Sequence, residues 1–197
     1  MKYPNKKNNE QKHNNITYGN RGMGLETLIN LANEYYLETN VAIIYKKPTD
    51  IGINKVIYKP KVVIKDAYFK SPSTLDYNGI YKGKYIEFDA KMTRNKTSFP
   101  LNNIPSHQLE HIKKIIGHGG ICFLILEMNN NFYLLEGNKL IEFIDQELRK
   151  SIPIAYIEEH AHKIKLGLNP VIDYIKVLEN IIKEDYFNGR SEEKKEK

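Results

Sequence analysis

The sequence contains a single cysteine and no long apolar run. With Cys122 alone, no intramolecular disulfide can form, which fits the reducing cytoplasm. No stretch of about eighteen apolar residues is present, so no membrane-spanning helix is expected. The lysine-rich N-terminus also lacks the apolar segment of a secretory signal peptide. We therefore predict a cytoplasmic protein with no membrane partner.

Acidic residues are scarce in the first half of the chain. Residues 1–100 contain 17 Lys and Arg against 9 Asp and Glu, whereas residues 101–197 contain 13 against 15. A basic half suits a polyanion, and nucleic acid is the first candidate. In a chain rich in lysine and asparagine, the same excess can also serve solubility alone, so charge does not decide the function.

The 197 residues predict one domain with loose ends. Residues 1–20 are polar and without periodicity, which predicts a disordered basic arm. Residues 21–187 are expected to form the single folded domain, and residues 188–197 a flexible charged tail. Apolar spacing in this domain predicts an α/β arrangement. Helices are expected near residues 23–39, 106–117 (capped by Ser106), 138–149 and 170–186, and strands near 41–46, 121–128 and 132–136.

Residues 48–71 form an unusual insertion that is rich in lysine and aromatic residues. Their β-branched side chains favour strands, but their apolar content is too thin for a core. We predict a protruding basic ribbon, although a long surface hairpin with solvated lysines explains the composition equally well. The residues concerned are Lys55, Lys59, Lys61, Lys65 and Lys70, interleaved with Tyr58, Tyr68 and Phe69.

The next segment, residues 85–91, alternates polar and apolar side chains. Alternation with a period of two is typical of a strand with one buried face. The side chains of Asp89 and Lys91 should therefore point the same way, about 7 Å apart. Glu87 falls on the same side of this predicted strand.

A hairpin would align a second carboxylate with Asp89. If the chain turns through a two-residue loop at 82–83, Tyr81 pairs with Lys84, and Asp76 then pairs with Asp89. Two facing carboxylates are destabilising when nothing neutralises them. A divalent cation would provide the reason for such a pair.

The residue types suit metal-dependent phosphate chemistry. Mg²⁺ takes oxygen ligands and keeps several waters, so one or two carboxylates suffice to hold it. A neighbouring lysine such as Lys91 can orient a water or stabilise charge in the transition state. An ordinary hairpin with a solvated polar face also fits these residues, because short acidic and basic pairs are common.

A second metal motif competes with the hairpin. Residues 107–111 fit H-x-x-E-H, a zinc pattern of metallopeptidases. On a helical wheel, His107, Glu110 and His111 project away from the apolar face, so we expect an exposed polar face or phosphate contacts instead of an enclosed zinc site. Gln108 lies near the apolar face and is the better candidate for an oxygen ligand.

Two residues near the first helix have more than one interpretation. Arg21 could contact phosphate or be an exposed residue at the helix entrance. Glu26 could reach a metal through water, but an acidic residue in the first turn is also explained by the helix dipole.

Several longer motifs resemble the RecU family of Holliday junction resolvases, which belongs to the PD-(D/E)xK nuclease superfamily. The resemblance extends from about residue 18 to about residue 180. These motifs are far more specific than the pattern formed by Asp76, Asp89 and Lys91 alone. The motifs lie at residues 20–23, 45–48, 65–70, 76–83 and 96–101.

The resemblance implies a restriction-endonuclease-like fold, with a mixed central β-sheet flanked by helices and a protruding basic β stalk at about residues 48–71. It implies a homodimer that makes symmetric nicks in a four-way DNA junction, with Mg²⁺ or Mn²⁺ as the cofactor. A RecA-type recombinase and a branch-migration helicase are the protein partners expected.

Site residues are also implied by the resemblance. Thr74, Asp76, Asp89 and Gln108 resemble the metal-binding set, and Lys91 resembles the transition-state stabiliser. The DNA-binding candidates are Arg21, Lys46, Lys59, Lys61, Lys65 and Lys70.

The sequence departs from the family pattern at two points. Asp89 stands where many relatives carry Glu, and the stalk carries lysines, which lack the bidentate geometry of arginine. Two other functions stay open: a non-cleaving module that binds junctions or regulates a recombinase, and a less selective nuclease of the same superfamily.

Overall fold

A six-stranded mixed sheet, in the order β1-β4-β5-β7-β8-β10, is the centre of the structure. The structure is a computed structural model that describes residues 23–70, 74–146 and 149–193, with side chains described up to residue 183. Strand β5 pairs in parallel with β7, and the other neighbours in this sheet are antiparallel. The six strands are β1 (Ile43–Lys46), β4 (Tyr77–Tyr81), β5 (Lys84–Met92), β7 (Ile121–Met128), β8 (Asn131–Glu136) and β10 (His162–Ile164).

The five α-helices of the described residues cover the two faces of the sheet. One face packs against α1 (Leu25–Glu38) and α5 (Tyr174–Glu193). The other packs against α2 (Ser106–Gly117), α3 (Gly137–Gln146) and α4 (Ile154–His160). The predicted mixed sheet flanked by helices is therefore confirmed. No helix among the described residues is long and apolar enough to cross a membrane.

Aromatic stacking joins the central strands on the α1 and α5 face. The rings of Tyr77 and Phe88 stack at 4.9 Å between centroids, and those of Phe88 and Phe123 at 4.8 Å. All three side chains are fully buried. Such pairs contribute about 0.5–1.5 kcal/mol each beyond the burial of their area. The stack fixes β4, β5 and β7 relative to one another.

The hairpin between β4 and β5 closes in the predicted register. Lys82 and Gly83 both have positive φ, at 47° and 76°, as a tight two-residue turn requires. Tyr81 pairs with Lys84 and Tyr77 pairs with Phe88. The residue before Tyr77 therefore lies opposite Asp89, as the sequence predicted.

The predicted basic ribbon is present as a separate two-stranded sheet, formed by β2 (Ile51–Ile57) and β3 (Val63–Phe69). Every residue of β3 is exposed, including Phe69 at 77%. A small third sheet pairs β6 (Ser98–Pro100) with β9 (Ser151–Pro153), and a 3₁₀ turn follows β6 at Leu101–Asn103.

Three details of the sequence-based prediction were wrong. Ser106 does not cap α2, because it is the first helical residue and Pro105 occupies the N-cap without a side-chain bond. Strands β9 and β10 and helix α4 were not predicted, since elements of three to seven residues are too short to show a clear period. Helix α5 runs to Glu193, past the predicted end at residue 186.

The longer α5 extends into the segment predicted as a flexible tail. Residues 188–193 are helical, because a single glycine costs a helix only about 1 kcal/mol and the flanking Arg and Glu are good helix formers. The last four residues lie outside the described part of the chain. The predicted basic arm at residues 1–20 also lies outside it.

Candidate metal centre and active site

Two carboxylates meet where β4 begins beside β5. Asp89 lies on β5, one residue past the end of its pairing with β4 and opposite Leu124 of the parallel strand β7, and it is completely buried. Asp76 directly precedes β4 and is half-buried. Because Tyr77 pairs with Phe88, Asp76 lies opposite Asp89, and the two carboxyl groups interact electrostatically. This is the pair that the hairpin register predicted.

Electrostatics at this pair favour a cation. Burial, together with the neighbouring Asp89 carboxylate, raises the pKa of Asp76 to about 6. Lys91 and Lys46 oppose this shift but do not cancel it. A carboxyl group that resists ionisation beside a second carboxyl is stabilised as the anion by a bound divalent ion.

Lys91 lies beside the pair, as the strand alternation predicted. Its Nζ is 2.8 Å from Oδ2 of Asp89, an ion pair without the angles of a hydrogen bond. The other oxygen, Oδ1, accepts a 2.8 Å hydrogen bond from the backbone N–H of Ala90. The buried Oδ2 of Asp89 therefore has no hydrogen-bond donor.

Gln108, on α2, contacts Thr74, which lies two residues before Asp76 in the chain. Gln108 is buried, and its Nε2 donates a 2.7 Å hydrogen bond to the backbone carbonyl of Thr74. Its Oε1 is also buried and has no hydrogen-bond partner. The prediction that Gln108 lies near the packed, apolar face of α2 is confirmed by its burial. Thr74 Oγ1 accepts a 2.8 Å hydrogen bond from Nζ of Lys47.

The donor set fits a hard divalent cation such as Mg²⁺. Such an ion binds through one or two carboxylates plus neutral oxygens and water. Two buried oxygens, Asp89 Oδ2 and Gln108 Oε1, lack hydrogen-bond partners, which is the state expected of oxygens that serve as ligands. Within the described ranges, no group of three or more His, Cys, Asp or Glu side chains could hold a metal. Because the donors of Thr74, Asp76, Asp89 and Gln108 are all oxygens, the set suits an oxygen-coordinated ion better than zinc.

A buried acidic residue next to this set was not predicted to have a role. Glu87 is 1% exposed, and its carboxylate contacts Nζ of Lys47. It also accepts a 2.6 Å hydrogen bond from the Tyr85 hydroxyl and lies 2.6 Å from Nε2 of His111. Burial raises the pKa of Glu87, but these hydrogen bonds outweigh burial and hold it below its ordinary value. Strand alternation placed Glu87 beside Asp89 and was the signal available.

The prediction that His111 points to solvent was therefore wrong. The helical wheel assumed that α2 rests on an apolar surface, whereas the sheet presents Glu87 to this helix. One polar position of α2 thus faces the sheet. His107 and Glu110 are exposed, as predicted.

Of the DNA-binding candidates, Lys46 is near the carboxylate pair, whereas the ribbon lysines belong to a separate sheet. Lys46 forms an ion pair with Glu26 in the first turn of α1, and its Nζ is 6.0 Å from the Tyr77 ring centroid. Arg21 lies outside the described residues. The four ribbon lysines are all exposed on or beside β2 and β3: Lys59, Lys61, Lys65 and Lys70.

Fold and site together define an α/β protein with a carboxylate–carboxylate–lysine centre suited to a hard divalent cation. Comparison with known proteins gives the family. The chain belongs to the family described as RecU, Recombination protein U, whose model matches residues 20–180.

Curated relatives resemble nearly the whole chain. A protein of Geobacillus sp. (strain WCH70) named Holliday junction resolvase RecU is 50% identical over 195 residues, covering 92% of this chain and 97% of its own. A protein of the same name from Bacillus mycoides (strain KBAB4) is 47% identical, covering 92% and 98%. The membership expected from the sequence motifs is confirmed.

A solved structure also aligns with part of the chain. It is Archaeoglobus fulgidus Hjc, a Holliday junction resolvase from an archaeal hyperthermophile, at 9% identity and a TM-score of 0.40. The alignment covers 68% of this chain and 94% of that one.

Proposed function

We propose that this protein is a Holliday junction resolvase. It is an endonuclease that nicks opposing strands of a four-way DNA junction symmetrically, in recombination and DNA repair. The observation that carries the proposal is the pairing of Asp76 with the buried Asp89, beside Lys91, in a chain of the RecU family. Paired carboxylates with an adjacent lysine are suited to metal-assisted hydrolysis of a phosphodiester.

Asp76 and Asp89 are the proposed ligands of Mg²⁺, and Mn²⁺ is expected to replace it. Thr74 and Gln108 complete the set, directly or through water. When bound, the cation lowers the pKa of a water and neutralises charge on the scissile phosphate. The carboxylate of Asp89 is completely buried, and the ammonium of Lys91 and the backbone N–H of Ala90 each contact one of its oxygens.

Lys91 is the proposed transition-state stabiliser. Its side chain is 19% exposed, so the ammonium lies at the boundary between the buried carboxylate and solvent. A positive charge held there is able to stabilise the extra negative charge that develops on the phosphate during hydrolysis. The ion pair with Asp89 fixes its position before DNA binds.

The ribbon and the N-terminal arm are the proposed DNA-binding elements. Exposed lysines make salt-dependent contacts with phosphates, which position the DNA without reading its bases. A homodimer would match the symmetry of the junction and place two sites on opposing strands. The protein is expected to act in the cytoplasm with a RecA-type recombinase and a branch-migration helicase.

The test is nicking of an end-labelled four-way junction in Mg²⁺ or Mn²⁺, with a linear duplex as the control substrate. We expect paired symmetric nicks in the junction, little cutting of the duplex, and loss of nicking in Asp76→Asn. Tight junction binding without nicks in either metal would favour a non-cleaving binding module. Equal cutting of both substrates would indicate a nuclease without junction selectivity.

A further inference from the structure

The segment that carries Thr74 and Asp76 lies outside the strands. Strand β4 begins at Tyr77, so neither residue is held by the ladder of hydrogen bonds between β4 and β5. A metal ligand must be held within a fraction of an ångström of its position, by packing or by hydrogen bonds from neighbouring groups. Another part of the protein must therefore fix these two residues.

Lys47 contacts this segment at both residues. Its backbone N–H donates a 2.7 Å hydrogen bond to the carbonyl oxygen of Asp76. Its Nζ donates a 2.8 Å hydrogen bond to Oγ1 of Thr74. Lys47 directly follows β1, the neighbour of β4 in the sheet, so its own backbone is well placed to act as a support.

The ammonium group of Lys47 is itself fixed by Glu87. The two side chains form an ion pair, and Glu87 is additionally held by Tyr85 and His111, both at 2.6 Å. Glu87 is 1% exposed and lies on β5, two residues before Asp89. A buried carboxylate with three partners has little freedom to move, and it holds the lysine in one orientation.

We propose that Lys47, anchored by Glu87, is a positioning residue that holds Thr74 and Asp76 in the geometry required to bind the divalent cation. This inference rests on the proposed metal-dependent function and adds residues to it. Lys47 acts through the ligands and does not contact the cation. Residues that orient metal ligands typically contribute about 10- to 100-fold to metal affinity or activity.

The experiment measures Mn²⁺ binding by DNA-free protein, using the electron paramagnetic resonance signal of the unbound ion. The variants are Lys47→Met and the double variant Lys47→Met/Glu87→Gln. The double variant replaces the charged pair by a neutral pair of similar size and leaves no unpaired buried charge. It therefore decides the question even if Lys47→Met alone fails to fold, as checked by circular dichroism.

We expect the dissociation constant for Mn²⁺ to rise about tenfold or more in the double variant. The nicking rate should recover to within about threefold of wild type once Mn²⁺ is saturating, since the ligands themselves are intact. Lys84→Met, which removes an exposed lysine of the same hairpin, is the matched control and should bind Mn²⁺ as wild type does.

Leu140→Ala separates positioning from general stability. Leu140 is a buried core residue of α3, a helix that carries none of the residues bonded to Lys47 or Glu87, so this variant lowers stability and leaves those hydrogen bonds in place. Its affinity for Mn²⁺ should equal that of wild type. If it weakens Mn²⁺ binding as much as the double variant does, the specific role of Lys47 is overturned.

The outcomes distinguish this inference from the function on which it rests. A folded double variant that binds Mn²⁺ within about twofold of wild type would overturn the positioning role alone. A wild-type protein that binds no Mn²⁺ would overturn both the positioning role and the proposed metal centre. Weaker junction binding with unchanged Mn²⁺ affinity would make Lys47 a DNA contact and also overturn the inference.

Discussion

Two consecutive hairpins of this chain are built in opposite ways. The hairpin of β4 and β5 lies inside the six-stranded sheet, with Phe88 fully buried in an aromatic stack. The hairpin of β2 and β3 pairs only with itself among the described strands, and its Phe69 is 77% exposed. A buried hairpin can hold carboxylates in a fixed geometry, whereas an exposed hairpin presents its charged side chains to a partner in solution. The proposed function assigns cutting to the first and junction binding to the second.

Asp89→Asn should cause the largest loss of activity. It should lower the rate of nicking and leave junction binding unchanged. Asparagine keeps the size of the side chain but removes the negative charge that the cation requires. We expect the nicking rate to fall at least about a thousandfold, about 4 kcal/mol of transition-state stabilisation. The measurement is single-turnover nicking of the junction alongside a gel-shift assay of binding.

The control for that change is Asp145→Asn, which alters an exposed carboxylate paired with Lys113 on the protein surface. It should nick at the rate of wild type. If Asp89→Asn instead weakens junction binding as strongly as it slows nicking, the two hairpins do not have the separate roles in binding and nicking that we propose.

A pair of phenylalanine variants tests the structural side of the comparison. Phe88→Ala removes the middle ring of the stack and should lower the free energy of unfolding by about 3–5 kcal/mol. Phe69→Ala, on the ribbon, should change it by no more than about 0.5 kcal/mol. Urea unfolding followed by circular dichroism measures both. Similar losses in the two variants would mean that the ribbon is packed in solution.

Replacing ribbon lysines should change the salt dependence of junction affinity more than it changes the rate of nicking. Each lysine that neutralises a phosphate adds about 0.9 to the slope of log affinity against log salt concentration. Lys59→Gln/Lys61→Gln/Lys65→Gln should therefore reduce this slope by about 3. The measurement is junction affinity between about 50 and 200 mM salt. An unchanged slope would place the junction on another surface.

The smallest effect predicted is a change of stability with pH at the carboxylate pair. The pKa of Asp76 rises from its ordinary 3.8 to about 6, so between these values the folded protein holds a proton that the unfolded chain has lost. Stability of the metal-free protein should therefore fall as pH rises through this window. Asp76→Asn should remove this component, and Mg²⁺ should offset it in wild type.

Urea midpoints between pH 4 and 7, with and without a chelator, provide the comparison. The quantity of interest is the difference between wild type and Asp76→Asn, because other groups also titrate in this range. A difference that is constant across the window would contradict the raised pKa and the electrostatic argument for a cation.

Local sequence pattern predicted the hairpin of β4 and β5 well. Alternation set the faces of β5, the Lys82–Gly83 turn set the register, and the register brought Asp76 opposite Asp89. The ribbon was predicted from its lysines and its thin apolar content. These features depend on residues that are close together in the chain, so their pattern can be read from the sequence alone.

Contacts between distant elements were not predictable in the same way. The Glu87 network joins β5, α2 and the residue after β1, and only the packing of helix on sheet brings His111 to it. A helical wheel shows which face of α2 is apolar, but it does not show that the sheet presents the carboxylate of Glu87 to this helix. Elements as short as β9 and β10 also give no period to detect.

The most direct test of the division between the hairpins is single-turnover nicking of a labelled four-way junction over a series of enzyme concentrations. One experiment gives both the half-saturating concentration and the plateau rate. For Lys59→Gln/Lys61→Gln/Lys65→Gln, the account predicts a half-saturating concentration raised about tenfold or more and a plateau rate within about threefold of wild type. A plateau rate that collapses while half-saturation stays unchanged would contradict it, because the ribbon would then take part in the chemistry.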